Sequence, residues 1–191
     1  MGLVRLEKLK EEFPTVQITG MAFLLRPDIG PEGIVRPATG DSELREPMRS
    51  NAIESGLTRM KRPAKTPYSI PSLEATEYAK EQGKFEPFHK LCYSALWDDG
   101  LDLSSFEVLE KLARQCDLNW PELEARLRSG HYRQEVEDQY RLGVRLGFQG
   151  IPGFVIGNAG FTGAAPYPIF RVAAQRALEE LRGETRQEGE G

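Results

Sequence analysis

A proline held between glycines at the mouth of a strand constrains this chain more than any other feature. The run Gly147-Phe148-Gln149-Gly150-Ile151-Pro152-Gly153-Phe154-Val155-Ile156-Gly157 ends a helix at a glycine, crosses a short loop and enters a strand through an Ile-Pro step. Proline has no N–H to give a ladder and fixes its own φ, so directly before a strand it marks a rigid turn. X-Pro bonds are where cis peptides occur, although an ordinary trans proline opening a strand fits the same residues.

The residues beyond the proline extend the pattern. Phe154-Val155-Ile156 reads as a short strand, and Gly157-Asn158-Ala159-Gly160 supplies residues that tolerate positive φ. Phe161-Thr162 returns as the second arm of a hairpin. Ile169, Val172, Ala173, Ala177 and Leu181 then recur at helical spacing, with Pro168 before them and Gly183 as the expected stop. At the front, Leu3, Leu6, Leu9 and Phe13 share one face of a helix over residues 2–13, which Pro14 ends. Val16 to Leu25 reads as a largely buried strand closed by Pro27. The order is therefore helix, strand, long helical middle, strand, strand, helix.

These segments resemble the DsbA family of thioredoxin-fold proteins, and most closely its cytoplasmic FrnE-type branch. Phe23-Leu24-Leu25-Arg26-Pro27-Asp28 resembles that branch's segment after the second strand. Phe88-His89-Lys90-Leu91, with Ala95-Leu96-Trp97 and Gly100, resembles its mid-insertion helix. Gly150 to Gly157 resembles its cis-proline loop and following strand. The likeness runs from Gly2 to about Leu181. It implies an α/β, thioredoxin-like fold of the DsbA type with a large helical insertion. Residues 2–36 and 147–182 would form the thioredoxin-like domain, 37–146 the insertion and 183–191 a disordered tail. It also implies a thiol–disulfide oxidoreductase without a cofactor, acting on a thiol- or disulfide-containing protein or small molecule. Gly150, Ile151 and Pro152 would bind the substrate, the Ile151 backbone pairing with it in strand fashion.

One departure matters as much as the match. In the family a first strand precedes a Cys-x-x-Cys that opens the first helix. Here Leu6-Glu7-Lys8-Leu9 already lies on that helix, and no Cys-x-x-Cys occurs anywhere in the 191 residues. The absent strand is central in a thioredoxin sheet. Each buried backbone group left unpaired costs about 1–3 kcal/mol, and several such groups rival a domain's total stability of about 5–15 kcal/mol. Two explanations stand open: Met1 is a truncated start of a longer gene, or the member is degenerate and its sheet closes around the gap, for example by forming a homodimer across the open edge. The break falls inside a motif, which favours truncation. Little or no redox turnover is expected of the polypeptide as it stands. A second reading is a glutathione-dependent 2-hydroxychromene-2-carboxylate isomerase or kappa-class glutathione transferase, whose deciding residue also lies upstream of Gly2. A third is a non-catalytic peptide-binding module.

Composition adds bounds. The net charge of −4 and the lack of a basic run argue against nucleic acid, and no apolar stretch approaches a membrane span. Glu7, Lys8, Lys10, Glu11 and Glu12 interrupt any secretory signal, which implies a cytoplasmic location. The tail from Gly183 holds no apolar residue and is expected to be mobile.

The middle reads as helices between proline-rich loops. Pro27, Gly30, Pro31, Gly33, Pro37, Gly40 and Pro47 mark a long surface loop over 27–48. A short helix is expected at 49–61, another from Leu73 to Gln82, and a third with Phe85, Phe88, Cys92, Ala95 and Leu96 inward. Ser104-Ser105-Phe106-Glu107 is a capping-box signature, and Asn119-Trp120-Pro121 opens a further helix. Tyr132, Val136, Tyr140 and Val144 stripe the helix leading to the proline loop. Cys92 and Cys116 could be a redox pair, but buried apolar packing is the expected role. With two cysteines and two distant histidines, no metal spacing appears. His89 is expected to pack or hydrogen-bond, His131 to be exposed, and Trp97 and Trp120 to fill the core rather than line a groove.

Overall fold

The structure is a computed structural model that describes residues 1–36 and 43–188, with side chains to residue 183. In chain order its elements are α1 (Gly2–Glu12), β1 (Ile34–Val35), α2 (Met48–Glu54), β2 (Lys65–Thr66), α3 (Ile70–Glu81), α4 (Phe85–Trp97), α5 (Phe106–Gln115), α6 (Trp120–Ser129), α7 (Arg133–Arg145), β3 (Gly153–Ile156), β4 (Ala159–Thr162) and α8 (Tyr167–Glu188). They form two compact units, one of residues 1–19 with 148 onward, the other of residues 20–147. Residues 20–36, expected in the thioredoxin-like part, cluster with the helical unit instead. Ala22 and Leu24 bury there against Ile70 and Val136.

In the first unit, β3 and β4 are antiparallel partners from Gly153↔Thr162 to Ile156↔Ala159. The two-residue turn Gly157-Asn158 joins them. Gly157 has φ +56°, and a Cβ there would stand 2.7 Å from that of Ala177, so both conformation and space require glycine. One face of the hairpin closes the core. Phe154, Phe161 and Phe170 meet with ring centroids 4.6–5.4 Å apart. Leu9 of α1 and Phe170 and Ala174 of α8 are buried with them. At the surface the Tyr167 hydroxyl donates to Glu12 Oε2 at 2.6 Å, Arg171 pairs with Glu12, and Lys8 Nζ lies 4.3 Å from the Tyr167 ring. These contacts tie α8 to α1.

The expected strand over Val16–Leu25 does not form. A strand exists as a member of a ladder, and no described strand pairs with this segment. Some of its apolar residues still bury, and two of its N–H groups find partners outside a ladder: Val16 donates to the Phe13 carbonyl at 3.0 Å and Ala22 to Gln139 Oε1 of α7 at 2.6 Å. Two more expectations are corrected. α8 passes through Gly183 to Glu188 instead of ending there. One interior glycine costs a helix only about 1 kcal/mol, which is not enough to stop it. The expected helix at 49–61 shrinks to α2, ending before Gly56, whose φ is +72°. Pro37 and Gly40 of the expected loop, and Gly189 to Gly191 of the tail, lie outside the described residues.

The second unit is helical. α3 runs through its middle and packs against α4, α5, α6 and α7. Tyr78, Phe88, Leu109 and Leu123 are fully buried in its core. Glu74 and Glu77 are also buried on α3, at 1% and 3% exposure. Each carboxylate has a cationic partner, as burial of a charge requires. Arg133 Nε donates to Glu74 at 2.6 Å, and Lys80 Nζ donates to Glu77 at 2.6 Å. Arg126 lies beside the rings of Tyr78 and Tyr132, and donates to Glu81, Glu122 and the Tyr132 hydroxyl. Of the two serines in the capping signature, Ser105 caps α5, accepting the Val108 N–H, while Ser104 bonds to Asp102. The β1–β2 ribbon pairs Ile34↔Thr66 and Val35↔Lys65, and its first strand falls in the stretch 27–48 whose prolines and glycines read as loop.

Candidate functional site

The loop after α7 delivers Gly150, Ile151 and Pro152 to the mouth of β3. Gly147 turns the chain out of the helix with φ +86°, and the Phe148 ring lies against Gly153. The Ile151–Pro152 peptide is cis, as is Glu46–Pro47. The Pro152 carbonyl accepts the Gly163 N–H at 2.8 Å, which carries the hairpin ladder one step past its last strand pair and anchors the loop. Ile151 is the open position. Its side chain is 47% exposed, and among the described residues no hydrogen bond engages its backbone N–H or C=O. Gly150 has open space where a Cβ would be. Three residues expected to bind substrate thus form one accessible edge with a free donor and a free acceptor.

The first turn of α1 stands against this edge. A Cβ on Gly2 would lie 3.4 Å from Pro152 Cγ and 3.0 Å from Phe154 Cζ. Helix starts carry unsatisfied N–H groups and the positive end of the macrodipole. No side chain caps α1 at its start. The arrangement therefore sets two features side by side: a helix start with no side-chain cap, whose N–H groups carry partial positive charge, and an accessible backbone edge with its donor and acceptor unengaged. Nothing in the sequence around Gly2 marks that residue. Only the close approach to Pro152 reveals why a small residue suits the position.

No thiol stands in this unit. Cys92 and Cys116 are both buried, at 5% exposure, in the core of the helical unit. Burial, with Cys116 adding to it, pushes the Cys92 thiol up to about 12. Burial likewise raises Cys116. Both are thus protonated at neutral pH. His89 is stacked on Phe85 at 5.0 Å and meets Tyr93 edge-on at 4.8 Å. Burial, reinforced by Lys80, lowers it to about 4, so it is a neutral packing residue. His131 is exposed. Trp120 is buried at 7% exposure, edge-on to Phe106, and Trp97 is half-buried with its carbonyl accepting the Lys61 N–H. Among the described residues no helix is long and apolar enough to cross a membrane, and no group of three metal-ligating side chains converges.

Known proteins show the same architecture. Residues 1–175 match the family model of the DSBA-like thioredoxin domain. A probable DsbA oxidoreductase from Streptomyces coelicolor superimposes with a TM-score of 0.77 at 23% identity, covering 94% of this chain and 84% of that one. A 2-hydroxychromene-2-carboxylate isomerase superimposes with a TM-score of 0.68 at 15% identity, covering 94% and 90%. At such identities the likeness speaks for the fold: a DsbA-type thioredoxin fold with a helical insertion. No curated protein matches the sequence significantly.

Proposed function

Because the chain belongs to the DSBA-like thioredoxin domain family, we propose that Gly150, Ile151 and Pro152 are the substrate-binding wall of a thiol–disulfide oxidoreductase of the FrnE type. One observation carries the reading: the first residue of α1 packs on the Pro152 ring. In thiol–disulfide exchange a thiolate displaces one sulfur of a disulfide, forming a mixed disulfide and releasing the other sulfur as thiolate. An attacking thiolate gains from a helix start, and the substrate chain gains from pairing with the free Ile151 N–H and C=O. The 191 residues hold the wall and the helix start, and no Cys-x-x-Cys.

Substrate binding without turnover is the expected behaviour of this polypeptide. The test titrates the chain with an unfolded, cysteine-containing peptide while amide resonances are followed, and runs an insulin-reduction assay in parallel. Shifts centred on residues 150–153 with no reduction support the reading. Absence of those shifts removes the binding wall. Reduction that survives Cys92→Ser with Cys116→Ser removes the reading of an inert chain.

The fold shared with the isomerase favours one further reading, in which the same edge takes glutathione. The free Ile151 backbone suits a tripeptide as well as a protein chain. Saturable glutathione binding that exceeds peptide binding would decide for it.

A further inference from the structure

The hairpin leaves β4 without a partner on its outer side. β3 and β4 are opposed from Gly153↔Thr162 to Ile156↔Ala159, and the bond from the Gly163 N–H to the Pro152 carbonyl fixes the phase of the ladder. Antiparallel pairs alternate between bonded and non-bonded. Ala159 and Phe161 therefore bond to β3, while Gly160 and Thr162 turn their N–H and C=O groups outward. Both residues are exposed, and among the described residues no hydrogen bond engages their backbones. Sheet edges are commonly blunted by a lysine, a proline or a bulge. β4, Ala159-Gly160-Phe161-Thr162, carries none of these.

A groove of about 510 Å³ runs between β4 and α8, within the range of about 300–1,000 Å³ that ligand sites occupy. α8 runs antiparallel to β4: the Phe170 and Phe161 rings meet with centroids 4.9 Å apart, and further along Ala177 stands over Gly157. At the Phe161 end the groove is apolar, and Ile169 and Val172 leave hydrophobic surface exposed in it. At the other end Asn158 Nδ2 donates to Glu180 Oε2 at 3.1 Å, a bridge from the turn to the helix that closes the groove. Arg176 lines the groove one helical turn before that bridge. It is exposed, and among the described residues it makes no hydrogen bond or ion pair, since Glu180 beside it is held by Asn158.

We propose that this groove takes the carboxyl-terminal end of an extended, apolar peptide, which adds to β4 as an antiparallel third strand and stops at Arg176. Gly160 and Thr162 supply the ladder, and every second side chain of the peptide enters the apolar part of the groove. The guanidinium takes the terminal carboxylate through charge-assisted hydrogen bonds. With the apolar end at Phe161 and the cation at the turn, the direction of the peptide is set. The Asn158–Glu180 bridge is the reason for a chain end there, because a continuing chain would run into it. The site uses the outer edge of β4, not the Ile151 edge on β3, and does not rest on the redox reading of the Pro152 loop.

Titration of the full chain with a short, cysteine-free peptide of alternating valine and threonine tests it, while amide resonances are followed. One arm uses the free carboxyl terminus and the other the same peptide amidated. Saturable binding of the free acid is expected, with shifts at Gly160, Thr162 and Val172, and binding of the amide weaker by about tenfold, as loss of a charge-assisted pair implies. Arg176→Gln should weaken the free acid by about the same factor and leave the amide unmoved. Thr162→Pro removes one outward donor at an edge position where proline is tolerated, and should weaken both peptides. The comparison of acid with amide needs no variant, so it stands if that one fails to fold. Absence of saturation overturns the proposal, as do equal affinities for acid and amide, an affinity unmoved by Arg176→Gln, or shifts confined to residues 150–153. Self-association that shifts Gly160 and Thr162 without peptide also overturns it and gives the edge to a second copy of the chain.

Discussion

Gly2 rests on Pro152. A methyl group in place of one glycine hydrogen would stand 3.4 Å from Cγ of the proline ring and 3.0 Å from the tip of Phe154. The start of α1 and the proline loop are thus neighbours, although 150 residues separate them in the chain. A thiol placed there should feel the helix start. In the variant Gly2→Cys, the alkylation rate against pH should show a midpoint below the ordinary thiol value of about 8.5. A midpoint at or above that value would show that the helix start gives an anion nothing.

The native cysteines should behave in the opposite way. Cys92 and Cys116 are buried, and Cys92 is pushed up to about 12. Because the thiolate is the reactive form, modification of Cys92 by a thiol reagent at pH 8 should be slower than for a free thiol by about a thousandfold or more, and Cys116, raised by burial, should also be slowed. Denaturant should restore the ordinary rate for both residues. Rapid labelling of the folded chain would contradict their burial.

Gln139 substitutes for a missing ladder. It accepts the Ala22 N–H at 2.6 Å and donates to Glu77 and Glu135. Gln139→Leu keeps the bulk and removes the acceptor, which leaves a buried donor unsatisfied. A loss of about 1–3 kcal/mol is expected from urea unfolding. A loss near zero would mean that water or another acceptor takes over.

Arg133 serves the buried Glu74 carboxylate, with a bond of 2.6 Å between α7 and α3. Arg133→Met strands that charge, so a loss of about 3–5 kcal/mol is expected. Replacing both partners, with Glu74→Leu added, should recover much of it, because the burden is the unpaired charge and not the lost contact. Equal losses in the single and double variants would refute this account.

His89 should titrate low. Burial, then Lys80, lowers its imidazole to about 4, while the unfolded chain takes up the proton near the ordinary value of about 6.5. Between those values the unfolded state binds more protons, so stability is complete above about pH 6.5 and falls as pH drops towards 4. Proton NMR of the His89 ring should find its midpoint near 4, and His89→Phe should flatten that part of the stability profile. A midpoint near 6.5 would show that the ring is solvated.

The sequence by itself determined much of this protein. The glycine–proline step, the hairpin residues and the helix periodicities are local signals, and each is set by backbone chemistry or by one face of one element. From them the proline loop, the β3–β4 hairpin, most helices and the absence of Cys-x-x-Cys are legible, and so is the likeness to the DsbA family. Tertiary structure decided the rest. Val16 to Leu25 has strand composition but no ladder, because pairing belongs to two segments and not to one. Gly2 meets Pro152, and Arg133 of α7 meets Glu74 of α3. Such meetings depend on how distant segments pack, and no local pattern encodes them.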